Sequence, residues 1–301
     1  MRDFHANGIL PPLTTPFDEE GNVDYEALRG NIERYNDTGV AGYVALGSNG
    51  EAVHLTQDER VRVIETIRRN ASPSHTVIAG VNEFSARATI RAARDAAYAG
   101  ADAALVITPY FYKSQMTQAA LAGFFTEVAA ASPIPALVYN VPQNTGVVIE
   151  PATIAKLAAQ ENIVGVKDSA GNMGAICETL RLAPTGFKVM VGNGGILYPS
   201  LLMGATGAIL AVACAAPRAC VDLYEAARAG DHARARELQN RISPLSHIVT
   251  AGLGVPGLKA AMEMAGFTGG ATRSPLAPLA DSDRARVEAV ARETGLFPDF
   301  E

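Results

Sequence analysis

A lysine stands in the apolar, strand-like run Gly165-Val166-Lys167-Asp168-Ser169, which follows Asn162-Ile163-Val164. The other lysines, Lys113, Lys156, Lys188 and Lys259, fall in loop-like, helical or strand-opening contexts from which an ammonium reaches water. Lys167 has no such route, and burial disfavours the charged form of an amine, so a lowered pKa is expected there. An unperturbed lysine, with a pKa of ~10.4, is roughly one part in a few thousand neutral at pH 7, whereas one held at ~7 to 8 is tens of per cent neutral. A neutral amine can attack a carbonyl and form an imine. The same segment also admits a structural lysine, paired with Asp168 or extending past a strand end.

Other polar groups recur at the ends of strand-like runs: Thr14-Thr15, Gly47-Ser48-Asn49-Gly50-Glu51, Pro109-Tyr110-Phe111-Tyr112, Tyr139-Asn140 and Gly192-Asn193. The Gly47 to Glu51 turn can offer successive backbone N–H groups to a carboxylate or phosphate, or be an ordinary turn. Tyr139 can relay protons beside a lysine amine, or bond its hydroxyl to backbone.

The elements that must position these groups follow from periodicity. Continuously apolar runs at 8–13, 42–46, 76–81, 103–108, 136–140, 163–167, 188–191 and 208–212 mark strands buried on both faces. Between them, stretches at 25–38, 57–70, 86–99, 118–131, 151–160 and 174–182 repeat apolar residues at helical spacing. Eight such units, with no glycine-rich phosphate fingerprint after the first strand, predict a (β/α)8 TIM barrel, whose catalytic groups gather at the C-terminal ends of its strands. Helical patterns at 218–229, 233–242, 257–265 and 282–294 predict a closing barrel helix and then a helical C-terminal domain, with the division at 1–230 and 231–301.

Composition excludes several classes. With 301 residues, 48% hydrophobic and 19% charged, the chain can bury a large core, and its net charge of -6 with scattered arginines argues against a nucleic-acid partner. No apolar run reaches signal-peptide or membrane-span length, so a cytoplasmic protein without membrane contact is expected. Cys177, Cys214 and Cys220 form no CxxC pair and read as buried thiols. His5, His54, His75, His232 and His247 share no metal-ligand spacing and read as surface or capping residues, so no metal is expected.

The segments GSNGE (Gly47 to Glu51), YNVPQNTG (Tyr139 to Gly146) and GVKDSAGN (Gly165 to Asn172) resemble the signature segments of the dihydrodipicolinate synthase and N-acetylneuraminate lyase family of Schiff-base aldolases. LPPLTTPF (Leu10 to Phe17), TPYFY (Thr108 to Tyr112) and GVPGLKAAMEMAGF (Gly254 to Phe267) add to the likeness, which runs from about residue 8 onward. The resemblance implies a barrel with a helical C-terminal domain, usually a homotetramer built as a dimer of dimers. It implies an imine between Lys167 and pyruvate or another 2-oxo acid, Tyr139 as proton shuttle, Ser48 as relay hydroxyl, and the Ser48 and Asn49 amides on the substrate carboxylate, without a cofactor. Gly47, Asn144 and Ile209 join the expected substrate-binding set, with Tyr110, Phe111, Tyr112 and Asn193 as further candidates.

Two departures bear on the substrate. The family's synthases usually carry an arginine where Asn144 stands and a tyrosine where Phe111 stands; Tyr112 follows one residue on. GSNGE, Asn144-Thr145-Gly146 and GVPGLK look most similar to the 4-hydroxy-2-oxoglutarate aldolase branch. Retro-aldol cleavage of a 4-hydroxy-2-oxo acid is therefore the leading expectation. Its alternatives are dihydrodipicolinate synthase, a 2-keto-3-deoxy sugar-acid lyase, and a 2-oxo-acid-binding protein without turnover.

Overall fold

The computed structural model describes residues 7–297, which leaves His5 outside the described residues. Eight strands form one parallel sheet: β1 (Gly8–Leu10), β2 (Gly42–Ala45), β3 (Thr76–Val81), β4 (Ala103–Ile107), β5 (Ala136–Asn140), β6 (Ile163–Asp168), β7 (Lys188–Val191) and β8 (Gly207–Ile209). Neighbours run in the order β1-β8-β7-β6-β5-β4-β3-β2. Bonds from Ala41 N to Ile9 O (2.9 Å), Val44 N to Pro11 O (3.0 Å) and Leu13 N to Val44 O (3.0 Å) join the two ends into a barrel. The first strand is shorter than its apolar run because Pro11 and Pro12 have no N–H to donate. The last is shorter because Ala211–Cys214 winds into a 3-10 turn.

Around the barrel lie α1 (Tyr25–Asn36), α2 (Gln57–Asn70), α3 (Ala86–Tyr98), α4 (Gln118–Ala131), α5 (Pro142–Thr145), α6 (Pro151–Leu157), α7 (Met173–Leu182), α8 (Leu197–Leu202) and α9 (Pro217–Ala229). Their starts follow local chemistry. Thr56 and Glu59 form a reciprocal capping box before α2, and the side chains of Asp24, Ser85, Thr117 and Asn172 cap α1, α3, α4 and α7. The short α5 and α8 escape a periodicity reading, being under two turns long.

The chain continues through α10 (His232–His247), a π-helical turn (Ile248–Gly252), α11 (Gly254–Met264) and α12 (Asp281–Thr294). This helical region is tied to the barrel: Tyr35 of α1 stacks on Phe267 at 4.3 Å between centroids, and Ala271 N donates to Phe17 O at 2.9 Å. Among the described residues no helix is long and apolar enough to cross a membrane.

Strand periodicity divides the apolar residues into two cores. Leu10, Val44, Ile78, Leu105, Leu137, Met190 and Ile209 fill the barrel interior, while Ile9, Tyr43, Val77, Val106, Val138, Val166 and Val189 pack between sheet and helices. Tyr139 belongs to the interior set. Between β5 and β6 the register shifts: Ala136 pairs with Ile163 but Leu137 with Gly165, leaving Val164 as an extra residue, and Tyr139 then pairs with Lys167.

The end of β2 is held by a close backbone approach. Leu46 takes a left-handed conformation (φ 56°), and its carbonyl accepts a bond from Asn82 Nδ2 at 2.8 Å. A Cβ on Gly80 would lie 2.1 Å from that carbonyl oxygen, so glycine is required there. Gly80→Ala should therefore cost about 1–3 kcal/mol, the scale of overpacking against a fixed neighbour. Urea unfolding checks this, and an unchanged midpoint would show that the Leu46 carbonyl is free to retreat.

Candidate active site

Lys167 ends an inward-facing row on β6, and its strand neighbours in register are Tyr139 on β5 and Met190 on β7. Both Lys167 and Tyr139 are 4% exposed, and the Lys167 ammonium sits 4.3 Å from the centre of the Tyr139 ring. Ser48 Oγ lies 3.5 Å from Tyr139 Oη. These three side chains, from the ends of β2, β5 and β6, meet at one cavity of about 310 Å³.

Of the residues expected from sequence, Ser48, Asn49, Tyr139, Asn144, Lys167, Asn193 and Ile209 line this cavity. Gly47 and Tyr110 line a smaller neighbouring cavity of about 200 Å³, which shares Ser48 and Asn144 with the first. Thr14 and Thr15 line neither cavity; Thr15 Oγ1 instead donates to Gly50 O at 2.7 Å and holds the turn from behind. Phe111 and Tyr112 lie on the outer surface, 73% and 70% exposed, in an edge-to-face chain with Phe84 and Tyr110.

The Gly47 to Glu51 segment folds as a 3-10 turn over Ser48–Gly50. Gly50 N and Glu51 N bond back to Gly47 O and Ser48 O, which leaves the Ser48 and Asn49 N–H groups at the open start of the turn. Leu46 before it and Glu51 after it (φ 51°) are the non-glycine residues with left-handed backbone among those described. Such conformations cost about 1–3 kcal/mol each and persist where surrounding structure holds them.

Sequence reasoning placed Lys259 where it reaches water, and the structure corrects this: it is 2% exposed. From α11 its ammonium reaches Glu51 Oε1 at 2.7 Å, Thr15 O at 2.8 Å and Ala271 O at 2.5 Å. Burial pulls its pKa down against the attraction of Glu51. Glu51 Oε2 also meets Arg273 N at 3.0 Å and His54 Nδ1 at 3.2 Å. His54 is thus part of a network, not a surface residue.

Two further contributions escaped the sequence. Ser169, two residues past Lys167, lines the cavity and bonds to the Tyr139 phenol; its Oγ presses so close to Gly192 that a Cβ there would lie 1.8 Å away. Strand alternation after Lys167 was the available signal. Val249, Thr250, Ala251, Gly254 and Val255 bring the helical region into the cavity wall, which no local pattern announces.

Burial pushes the Tyr139 phenol up, but the Lys167 ammonium and bonds from Ser48, Ser169 and Lys167 outweigh it, leaving its pKa below the ordinary tyrosine value. The Asp168 carboxyl, facing away beside Asn140, is held above its usual range by burial, against bonds from Asn140 and Ala170 N. Cys214 and Cys220 are buried and burial pushes the latter thiol up to about 12, while Cys177 is partly exposed, so the expectation of three buried thiols holds for two. Among the described residues no three His, Cys, Asp or Glu side chains group as a metal site.

A buried lysine against a phenol, at the C-terminal mouth of a parallel (β/α)8 barrel, is an arrangement in which an amine can add to a carbonyl beside a proton-transferring group. The family model described as "Dihydrodipicolinate synthetase family" matches residues 5–294. A 4-hydroxy-tetrahydrodipicolinate synthase of Methanothrix thermoacetophila is 36% identical over 284 residues, covering 94% of this chain and 95% of that one. An uncharacterized DapA-like lyase of Halobacterium salinarum is also 36% identical, over 97% of this chain and 95% of its own. A solved dihydrodipicolinate synthase from Acinetobacter baumannii, complexed with pyruvate, superposes with a TM-score of 0.92 at 32% identity, covering 97% of this chain and all of the other. The chain belongs to the dihydrodipicolinate synthetase family. The likeness does not single out the 4-hydroxy-2-oxoglutarate aldolase branch.

The Tyr139 environment gives a titration test. A phenol whose folded pKa is depressed favours the ionised form in the folded state, so it adds stability above the unfolded value of ~10 and loses it as pH falls through the folded pKa. In the ultraviolet tyrosinate titration, one of the nine tyrosines should ionise below the rest, and Tyr139→Phe should remove that step. A variant titration curve with the early step still present would assign it elsewhere.

Proposed function

We propose that this lyase cleaves a 4-hydroxy-2-oxo acid through an imine on Lys167, retaining pyruvate as the enamine fragment. The reading rests on one observation: the polar wall beyond Lys167 is neutral, made of Gln143, Asn144, Ser169, Asn193 and Thr250. Those groups suit the hydroxyls of a 4-hydroxy-2-oxo acid, whereas a second carboxylate, that of aspartate semialdehyde or of 4-hydroxy-2-oxoglutarate alike, would find at Asn144 no fork of charged donors such as an arginine supplies, worth about 2 kcal/mol.

The Ser48 and Asn49 N–H groups hold the substrate carboxylate, and the Lys167 amine adds to the C2 carbonyl and expels water, giving the imine. Tyr139, acting as a phenolate in this step, takes the proton from the C4 hydroxyl, with Ser48 and Ser169 bonding to the phenol oxygen. The C3–C4 bond breaks, its electron pair passes into the imine as an enamine, and the aldehyde leaves. Tyr139 returns its proton to C3, and water releases pyruvate and the free lysine.

A second reading has its own support: a curated relative at 36% identity is named 4-hydroxy-tetrahydrodipicolinate synthase, a condensation that would share the same imine. We also extend the reading to a cytoplasmic homotetramer in which a second copy covers the exposed Phe84, Phe111 and Tyr112. A monomeric mass in sedimentation velocity would remove that extension.

Pyruvate with borohydride should leave a reduced three-carbon adduct on Lys167, absent in Lys167→Ala; an unmodified wild-type peptide in the mass spectrum would end the proposal. Parallel assays with 4-hydroxy-2-oxoglutarate, 2-keto-3-deoxygluconate, N-acetylneuraminate and aspartate semialdehyde plus pyruvate then rank the substrates. The wild type should favour a hydroxy-2-oxo acid, and Asn144→Arg should shift the ratio toward the semialdehyde by roughly tenfold or more, the scale of one charge-assisted pair. A kcat/KM for the semialdehyde above that of every hydroxy-2-oxo acid would make the synthase reading the better one. Trapping without any turnover would leave a binding protein.

A further inference from the structure

The turn that offers the Ser48 and Asn49 amides is part of a closed ring of buried contacts. Gly50 O, inside the turn, accepts from Thr15 Oγ1; Thr15 O accepts from the Lys259 ammonium; Lys259 pairs with Glu51 Oε1; and Glu51 is covalently next to Gly50. Every charged member of this ring is out of solvent, with the side chains of Lys259 and Glu51 3% and 1% exposed. Around it, Arg273 donates its backbone N–H to Glu51 Oε2, and its guanidinium reaches His54 O at 2.9 Å and Glu59 Oε1 at 2.7 Å. The Lys259 and Arg273 cations lie 4.7 and 4.4 Å from the centre of the Phe17 ring.

This is more apparatus than a three-residue turn needs to form, and none of it touches the cavity. A buried ion pair is a poor source of net stability, because desolvation offsets most of the attraction. What it fixes well is geometry, since both partners are held to a narrow range of positions once buried. The geometry fixed here is that of Glu51, a non-glycine residue in left-handed backbone immediately after the turn.

We propose that Lys259 is a positioning residue: from the helical C-terminal region it sets, through Glu51 and Thr15, the direction in which the Ser48 and Asn49 N–H groups point. The helix that carries it, α11, also opens with Gly254 and Val255 in the cavity wall. One rigid element thus lines the substrate and orients the group that grips its carboxylate. The inference rests on the reading that those amides hold the 2-oxo acid, and it concerns affinity for that acid more than the chemistry at Lys167.

The test compares wild type with Lys259→Met, Glu51→Gln/Lys259→Met and Thr15→Val. For each, the thermal midpoint is measured together with the pyruvate concentration that gives half-maximal borohydride trapping on Lys167. Lys259→Met should lower the midpoint, since it strands a buried carboxylate. The double variant should recover much of that stability yet keep a half-saturating pyruvate concentration raised by about tenfold or more, the scale for misaimed fixed donors. At saturating pyruvate both should reach wild-type trapping, because Lys167 and Tyr139 are untouched. Thr15→Val removes just the hydroxyl that ties Gly50, should melt close to wild type, and should show the same rise; it decides the matter if the Lys259 variants do not fold. Wild-type half-saturation in a folded double variant, or in Thr15→Val, overturns the inference and leaves the network a purely structural one. No adduct in the wild type overturns the imine reading instead, so the two failures are distinct.

Discussion

The register between two adjacent parallel strands is the constraint on which the site depends. Side chains alternate across a sheet, so sliding one strand by a single residue exchanges its faces. Between β5 and β6 the chain makes that slide on purpose: Val164 is inserted without a partner, and pairing resumes with Leu137 opposite Gly165. Had the register begun by Ala136 and Ile163 continued, Tyr139 would sit opposite Val166, and Lys167 would point outward among the helices. The bulge puts an amine and a phenol on the same inward row, and the rest of the cavity is arranged around that pair.

Two buried lysines show how differently one protein can treat the same charge. Lys259 is given a carboxylate and two carbonyls, which hold it as a fixed cation. Lys167 has a phenol, a ring face and two serine hydroxyls nearby. The Lys167 ammonium, with bonds from Ser48 and Ser169, holds the Tyr139 phenol below its ordinary pKa against the upward pull of burial. The first arrangement makes a strut, and the second leaves an amine at the wall of an open cavity.

Much of this was readable in the chain because the informative residues broke a pattern. Lys167 interrupts an apolar strand, and the polar clusters end strand runs, so the barrel and the rim could be placed from alternation alone. Lys259 breaks an apolar stretch in the same way, within Gly257-Leu258-Lys259-Ala260-Ala261, but a helix usually lets a lysine reach outward, and α11 is packed on that side as well. Pro11 and Pro12 end β1 at Leu10, three residues short of the 8–13 run read from the sequence, because neither has an N–H to donate. The Thr250 and Val255 wall could not be foreseen, because a helix that follows the barrel in sequence carries no mark of which loops it will cover. The family was legible from its motifs, while the substrate branch turns on single residues such as Asn144, whose meaning depends on what faces it.

The π-helical turn at Ile248–Gly252 joins α10 to α11, with Leu253 N reaching five residues back to Ile248 O at 2.8 Å. Such a turn arises when a helix takes in one extra residue and absorbs it as a local swelling without a break. Here the swelling faces the cavity, with Val249, Thr250 and Ala251 on its surface. Because this stretch belongs to no barrel strand, it can lengthen, shrink or change its side chains without disturbing the pairing of Tyr139 with Lys167. What the cavity admits can therefore vary through this wall independently of the amine and phenol on the barrel row beneath it.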